Sequence, residues 1–226
     1  MNYIILGAGF IGKNLAIALN KSLSQNDHII IVDKKCENIE FLKDKVKASF
    51  FNYDVRDLTG IFDGIVFNLC ANVGVKSWST KPYENYQDNK KITEYIINRC
   101  IKEKCSKYIF ASTSEVYGSS DCINENSEFK LLNFYNNPRG LYALEKLEGE
   151  LLSQKISNHI NARFFNIIGK YQDIEKGVVP LFINQMKSNL AVTATDDTRC
   201  FCDVRDCVNA LISLVNSDFK GNINIC

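Results

Sequence analysis

Tyr142 and Lys146 stand four residues apart, a spacing that on a helix puts a phenol and an ammonium on one face, about one turn apart. A free phenol loses its proton near pH 10, too high for a base at neutral pH, and an adjacent cation lowers that value by favouring the phenolate. The pair is therefore a candidate general base. Upstream runs Ser112-Thr113-Ser114-Glu115-Val116-Tyr117-Gly118, a stretch rich in hydroxyls with one carboxylate. The chain opens on Gly7-Ala8-Gly9-Phe10-Ile11-Gly12, directly after the apolar run Tyr3-Ile4-Ile5-Leu6. In that context the first glycine makes a tight turn, the second admits a pyrophosphate close to the backbone, and the third lets helix and strand approach. The helix behind it turns exposed N–H groups and a positive dipole end toward the phosphates. Asp33 ends the next apolar run, about twenty residues beyond Gly12, where a carboxylate accepts from ribose hydroxyls and repels a 2′-phosphate.

Those groups need a sheet edge to meet on, and the pattern predicts one. Short apolar runs alternate with helical periodicity through the first half, the signature of a parallel sheet covered on both faces. Strands are expected at Tyr3–Leu6, Ile29–Val32, Ala48–Tyr53, Gly64–Leu69, Lys107–Ala111 and Ile160–Phe165. Helices are expected after Gly9, from Pro82 through Cys100, and along Leu141, Leu144, Leu151 and Leu152. Beyond Asn166 the reading is a loop through Gly169 and Gly177, then a helix around Pro180–Met186. A short strand at Leu190–Thr193, a helix over Val204–Val215 and a strand at Asn222–Cys226 complete it.

Composition sets the outer bounds. The 226 residues suit one α/β unit, and 46% hydrophobic with 23% charged residues is ordinary for a globular chain. A net charge of +1 and no basic stripe give no reason to expect nucleic acid or membrane as partner. No apolar run approaches the roughly 20 residues of a membrane span, and no leader precedes the first strand, so a cytoplasmic protein is expected. Nine cysteines without a C-x-x-C pair, and only two histidines, argue against a structural metal; the cysteines read as small core residues in a reducing compartment.

Taken together and in this order, the glycine turn, the Thr-Ser-Glu-Val-Tyr-Gly run and the Tyr142/Lys146 pair resemble the extended short-chain dehydrogenase/reductase family, the NAD-dependent nucleotide-sugar epimerases, dehydratases and decarboxylases. The resemblance implies a Rossmann-type doubly wound parallel sheet over residues 1–166, followed by a small, truncated C-terminal substrate lobe over 167–226. It implies NAD as cofactor, held by Gly7, Gly9, Phe10, Ile11, Gly12 and Asp33, with Asp54 and Val55 flanking the adenine. Leu69, Cys70 and Ala71, with Asn72 behind them, would run beside the nicotinamide ribose, and Asn89, Tyr142 and Lys146 would complete the cofactor contacts. Thr113 takes the place of the family's catalytic serine or threonine beside Tyr142 and Lys146. Glu115 looks like the second-step acid or base of 4,6-dehydratases, and the same run occurs in UDP-glucuronate decarboxylases and some epimerases. Ser114, Asn166 and Arg199 match substrate-side positions, with Lys76 and Ser77 as less specific sugar-side contacts, whereas Arg205 reads better as an ion-pair partner of a nearby aspartate.

The implied function is an NAD-dependent nucleotide-sugar epimerase or dehydratase working through a 4-keto-sugar. A UDP-glucuronate decarboxylase is the alternative within enzymes, and an NAD-binding regulatory protein without turnover is the alternative outside them. The chain is short for the family, whose members continue past the last strand with elements that complete the nucleotide pocket. A homodimer is implied, with the two long helices near 83–104 and 140–157 pairing into a four-helix bundle.

Overall fold

The computed structural model describes residues 1–118, 123–129, 139–174, 177–193 and 198–226. Seven strands form one sheet: β1 (Asn2–Leu6), β2 (His28–Val32), β3 (Ser49–Phe51), β4 (Ile65–Asn68), β5 (Lys107–Thr113), β6 (His159–Phe164) and, after two short strands that stand apart, β9 (Gly221–Ile225). Their order is β3-β2-β1-β4-β5-β6-β9 and every neighbouring pair is parallel. This is the Rossmann-like arrangement, with the reversal of strand order between β1 and β4. Such strands are buried on both faces, which explains continuous runs such as Ile4-Ile5-Leu6, none of them exposed.

Helices α1 (Phe10–Ser22), α2 (Cys36–Lys43), α3 (Val75–Thr80), α4 (Pro82–Lys102), α5 (Gly140–Ser153), α6 (Val178–Lys187) and α7 (Val204–Val215) follow in chain order. One apolar cluster joins the sheet to α1, α2 and α7 through Leu15, Leu19, Ile39, Leu42, Leu211 and Leu214. The other joins the opposite face to α4 through Ile92, Ile96, Ile97 and Cys100. Helix α5 lies so close to β5 that a Cβ on Gly149 would fall 2.4 Å from Cζ of Phe110. The Lys107 ammonium at the start of β5 donates to the carbonyls of Leu214 and Val215 at 3.0 Å, satisfying the C-terminal end of α7.

Three differences from the sequence reading have simple causes. No strand forms at 190–193: Leu190 and Val192 are exposed, and the segment is held instead by Gln185, whose carbonyl accepts from Leu190 N at 2.8 Å. Alternating apolarity without a partner strand does not make a strand. A second, two-stranded parallel sheet forms instead from β7 (Asn166–Ile168) and β8 (Phe201–Asp203). Helix α2 carries only Ile39 and Leu42 as buried residues and α3 only Trp78, too few to show a helical period. The cysteines are also not uniformly core residues: Cys100, Cys202 and Cys207 are buried, while Cys36, Cys200 and Cys226 are exposed.

Candidate active site

The glycine turn closes over the C-terminal edge of the sheet. Gly7 adopts φ +97°, and a Cβ there would lie 2.8 Å from the Leu69 carbonyl, so only glycine fits. A Cβ on Gly12 would lie 2.1 Å from the Gly7 oxygen, which is the close approach of helix and turn. A Cβ on Gly9 would meet nothing within 4 Å, and α1 begins there without a side-chain cap. The turn thus leaves both room and unsatisfied N–H donors for a phosphate beside Phe10 and Ile11. Asp33 follows β2 and is fixed in place: its carboxylate accepts from Ala8 N at 2.7 Å, Lys35 N at 2.8 Å and the Asn38 amide at 3.1 Å.

Asp54 caps the turn Val55–Asp57 and is clamped by Arg56 at 2.6 Å, which holds its carboxyl below the usual range; Val55 is buried under it. Leu69, Cys70 and Ala71 continue β4 past its last ladder residue, with Leu69 N donating to Leu6 O at 2.8 Å. Burial pushes the Cys70 thiol up to about 12. Asn89 on α4 is buried, and its amide takes the Asn72 N–H at 2.7 Å and donates to the Asn72 carbonyl at 3.2 Å.

The end of β5 and the start of α5 bring the remaining groups together. Tyr142 is 7% exposed and packs edge-on against Trp78 with ring centroids 5.2 Å apart. Thr113 lies beside its hydroxyl, and the Arg139 guanidinium lies 4.4 Å from its ring centroid. Burial raises the phenol well above its ordinary value; Arg139 and Thr113 pull it back, and Glu115 and Glu145 push it higher. Lys146 is 2% exposed, its ammonium 4.8 Å from the Phe110 ring and 5.9 Å from the Tyr142 ring. The Thr113, Tyr142 and Lys146 side chains therefore converge at the C-terminal ends of the strands.

Glu115 joins this cluster. It pairs with Arg139 at 2.9 Å, and its second oxygen is buried without a hydrogen bond among the described residues. Burial raises its pKa, opposed by Arg139 and then by Arg199, which places Arg199 within electrostatic reach of the carboxylate. Ser114 is half-buried in the same turn. The Asn166 side chain donates to Cys200 O at 3.1 Å, next to Arg199. Arg205 is an exposed ion-pair partner of Asp203 at 2.8 Å. Ser77 takes the Asn85 amide at 2.8 Å, and Lys76 is exposed. Trp78, Arg139 and Glu145 were not singled out from the sequence; Arg139 and Glu145 each lie three residues from Tyr142, the spacing of one helical face. Two open concavities of about 450 and 280 Å³, one against β9 and one between α1 and α7, lie away from this cluster. The convergence of titratable groups, not concavity, marks the site.

A doubly wound sheet with a glycine turn at its switch point and a Thr–Tyr–Lys cluster on the same edge defines a dinucleotide-dependent α/β protein. Residues 3–226 match the model of the NAD dependent epimerase/dehydratase family, and the chain belongs to that family, within the extended short-chain dehydrogenases/reductases. It is 32% identical to a UDP-N-acetyl-alpha-D-glucosaminuronate decarboxylase from Bacillus cytotoxicus, over 96% of this chain and 71% of that protein. It is 31% identical to a dTDP-D-glucose 4,6-dehydratase from Dictyostelium discoideum, over 96% of this chain but only 56% of that protein. Among solved structures, UDP-glucuronic acid 4-epimerase from Bacillus cereus, in complex with UDP-glucuronic acid and NAD, superposes with a TM-score of 0.82 at 26% identity, covering 100% of this chain and 77% of that one. The chain thus spans little more than half the length of some curated relatives. The open space at Gly9 and the uncapped start of α1 fit the cofactor after which the family is named. No helix among the described residues is long and apolar enough to cross a membrane.

Proposed function

We propose that this chain is the cofactor-binding and catalytic part of an NAD-dependent nucleotide-sugar epimerase or dehydratase that works through a 4-keto-sugar. The observation that carries the reading is the convergence of buried Thr113, Tyr142 and Lys146 with Glu115, whose partner Arg139 also lies over the Tyr142 ring. Gly7, Gly9, Phe10, Ile11 and Gly12 would hold the pyrophosphate of NAD, and Asp33 the adenosine ribose, favouring NAD over its 2′-phosphorylated form. Bound there, NAD accepts and returns a hydride.

Tyr142 takes the proton of the sugar hydroxyl being oxidised, and Thr113 orients that hydroxyl. The high pKa of Tyr142 in the free protein means that the phenolate needs added positive charge nearby, which Lys146 and an oxidised nicotinamide supply. Glu115 is the second-step residue. Its raised pKa suits a carboxylate that removes the proton next to a ketone and passes it on, as general acid–base work near neutral pH requires. Arg199, facing the same carboxylate, is the substrate-side cation, its planar fork matching a phosphate or carboxylate.

Decarboxylation is the second reading, favoured by the decarboxylase relative at 32% identity and by Arg139 and Arg199 gathered at Glu115, where a sugar carboxylate would sit. Pairing of α4 and α5 with a second copy would make the enzyme a homodimer; exposed Tyr83, Ile101 and Leu151 supply apolar surface on those helices. Sedimentation as a monomer at micromolar concentration would reject that assembly. Free thiols at all eight described cysteines suit the cytoplasm.

The test is incubation with NAD and a panel of UDP-, GDP-, dTDP- and CDP-sugars, including UDP-glucuronate, read by mass spectrometry. Loss of water, loss of carbon dioxide and an isomer of unchanged mass separate dehydratase, decarboxylase and epimerase. Tyr142→Phe is expected to abolish whichever reaction appears; unchanged turnover would refute the mechanism. Bound NAD with no sugar turned over would instead indicate a regulatory protein.

A further inference from the structure

Glu145 sits one helical turn from Tyr142 and next to Lys146, and nothing in the chemistry above uses it. It is 2% exposed. One oxygen accepts from the Asn89 amide at 3.3 Å and stands 3.8 Å from the Lys146 ammonium. The other is buried with no hydrogen-bond partner among the described residues. Asn89 in turn grips the backbone of Asn72 in both directions. The carboxylate therefore links α5, α4 and the segment that follows β4, all at the catalytic lysine.

Buried carboxylate oxygens are ordinarily hydrogen-bonded, so the unpartnered one calls for an explanation. This one is costly to the fold. Burial raises its pKa, and the attraction of Lys146 and the bond from Asn89 do not cancel that rise, to which Glu148 adds. Of the neighbouring charges, Glu148 is paired with Lys90 and Asp88 with Arg56. On the Tyr142 side the charged groups are Arg139, Glu115 and Glu145 itself.

Resting on the functional reading above, we propose that Glu145 is a positioning residue, whose carboxylate fixes the Lys146 ammonium beside Tyr142 by tying it through Asn89 to the chain after β4. Glutamine preserves the volume and the Asn89 contact but removes the charge.

Three measurements on wild type, Glu145→Gln and Glu145→Asp test this: thermal melting, calorimetric titration with NAD, and the pH profile of kcat/KM on the sugar that the panel identifies. A folded-state carboxyl pKa raised above 4.5 means that the ionised form subtracts stability as pH rises past that value, so Glu145→Gln melts at or above the wild-type temperature at pH 7.5. Its NAD dissociation constant rises about fivefold, as for one lost polar contact. Its kcat/KM falls about tenfold from misplacement of the lysine. The acid limb moves to lower pH because a negative charge that opposed the Tyr142 phenolate is gone. Asp, with the charge on a shorter arm, recovers part of the NAD affinity. Wild-type NAD affinity in Glu145→Gln would overturn the proposal. So would a lowered melting point with losses that vanish once corrected for folded fraction and an unmoved acid limb. If wild type turns over no sugar, the functional reading fails, while the NAD titration still decides the role of Glu145.

Discussion

Arg163→Met probes a charge that lies wholly inside the protein. Arg163 is 0% exposed and Glu150 3%. The guanidinium binds Glu150 through both carboxylate oxygens, at 2.9 and 2.7 Å, and donates to the Tyr117 hydroxyl at 2.7 Å. Ser112 hydroxyl donates to the same carboxylate, and Tyr117 donates onward to Asn224 on β9 at 2.7 Å. Removing only the arginine leaves a carboxylate without its cation, a change that costs about 3–5 kcal/mol in buried pairs. At about 2–4 °C per kcal/mol for a chain of this size, the melting temperature is expected to fall by about 10 °C. Replacing both partners with apolar groups removes the stranded charge. Glu150→Leu/Arg163→Met then loses mainly the bonds of Ser112 and Tyr117, about 1 kcal/mol each. The double variant is therefore expected to be more stable than Arg163→Met alone. Urea denaturation of wild type, both single variants and the double gives the coupling energy directly. A single variant within 1 kcal/mol of wild type, or strictly additive effects in the double, would refute this account of the pair.

Two substitutions in the glycine turn are expected to separate folding from binding. Gly9 has φ −72°, which alanine adopts freely, and open space around it, so Gly9→Ala keeps the wild-type melting point while calorimetry shows NAD affinity lost. Gly12→Ala puts a methyl 2.1 Å from the Gly7 carbonyl oxygen and is expected to lower the melting point itself. Cys70, whose thiol burial pushes up to about 12, stays protonated at pH 8 and is expected to resist iodoacetamide in the folded protein, while exposed Cys36 is alkylated; peptide mass spectrometry with and without urea reads the contrast.

Much of the fold was legible because its signals are local. Gly12 answers to a steric demand five residues back, at the Gly7 oxygen, and runs such as Ile4-Ile5-Leu6 announce strands covered on both faces. The failures come where tertiary contact decides. Leu190–Thr193 has strand composition but no strand to pair with, and β7 and β8 become strands only by meeting each other across more than thirty intervening residues. In the site, Tyr142, Lys146 and Thr113 were readable from spacing and resemblance. Trp78 reaches the phenol only because α3 folds under it, and the pairing of Arg139 with Glu115 joins two segments that nothing in the sequence links. Arg163 stands three residues before Asn166 in the sequence, yet its burial against Glu150 comes from the packing of α5 on β6.

The placement of β9 and α7 has a consequence for how the chain reaches this structure. Strand β9 lies against β6 in register from Ile160–Gly221 to Phe164–Ile225, and Leu211 and Leu214 of α7 share a core with Leu15 and Leu19 of α1. A nascent chain that has emerged only as far as β6 presents that strand as a bare edge and leaves the outer side of α1 uncovered. Its first helix must wait for α7, more than 180 residues further along the chain. Such closure is slow, because a long loop must be restrained before any contact repays it. Until then the open β6 edge can recruit another strand.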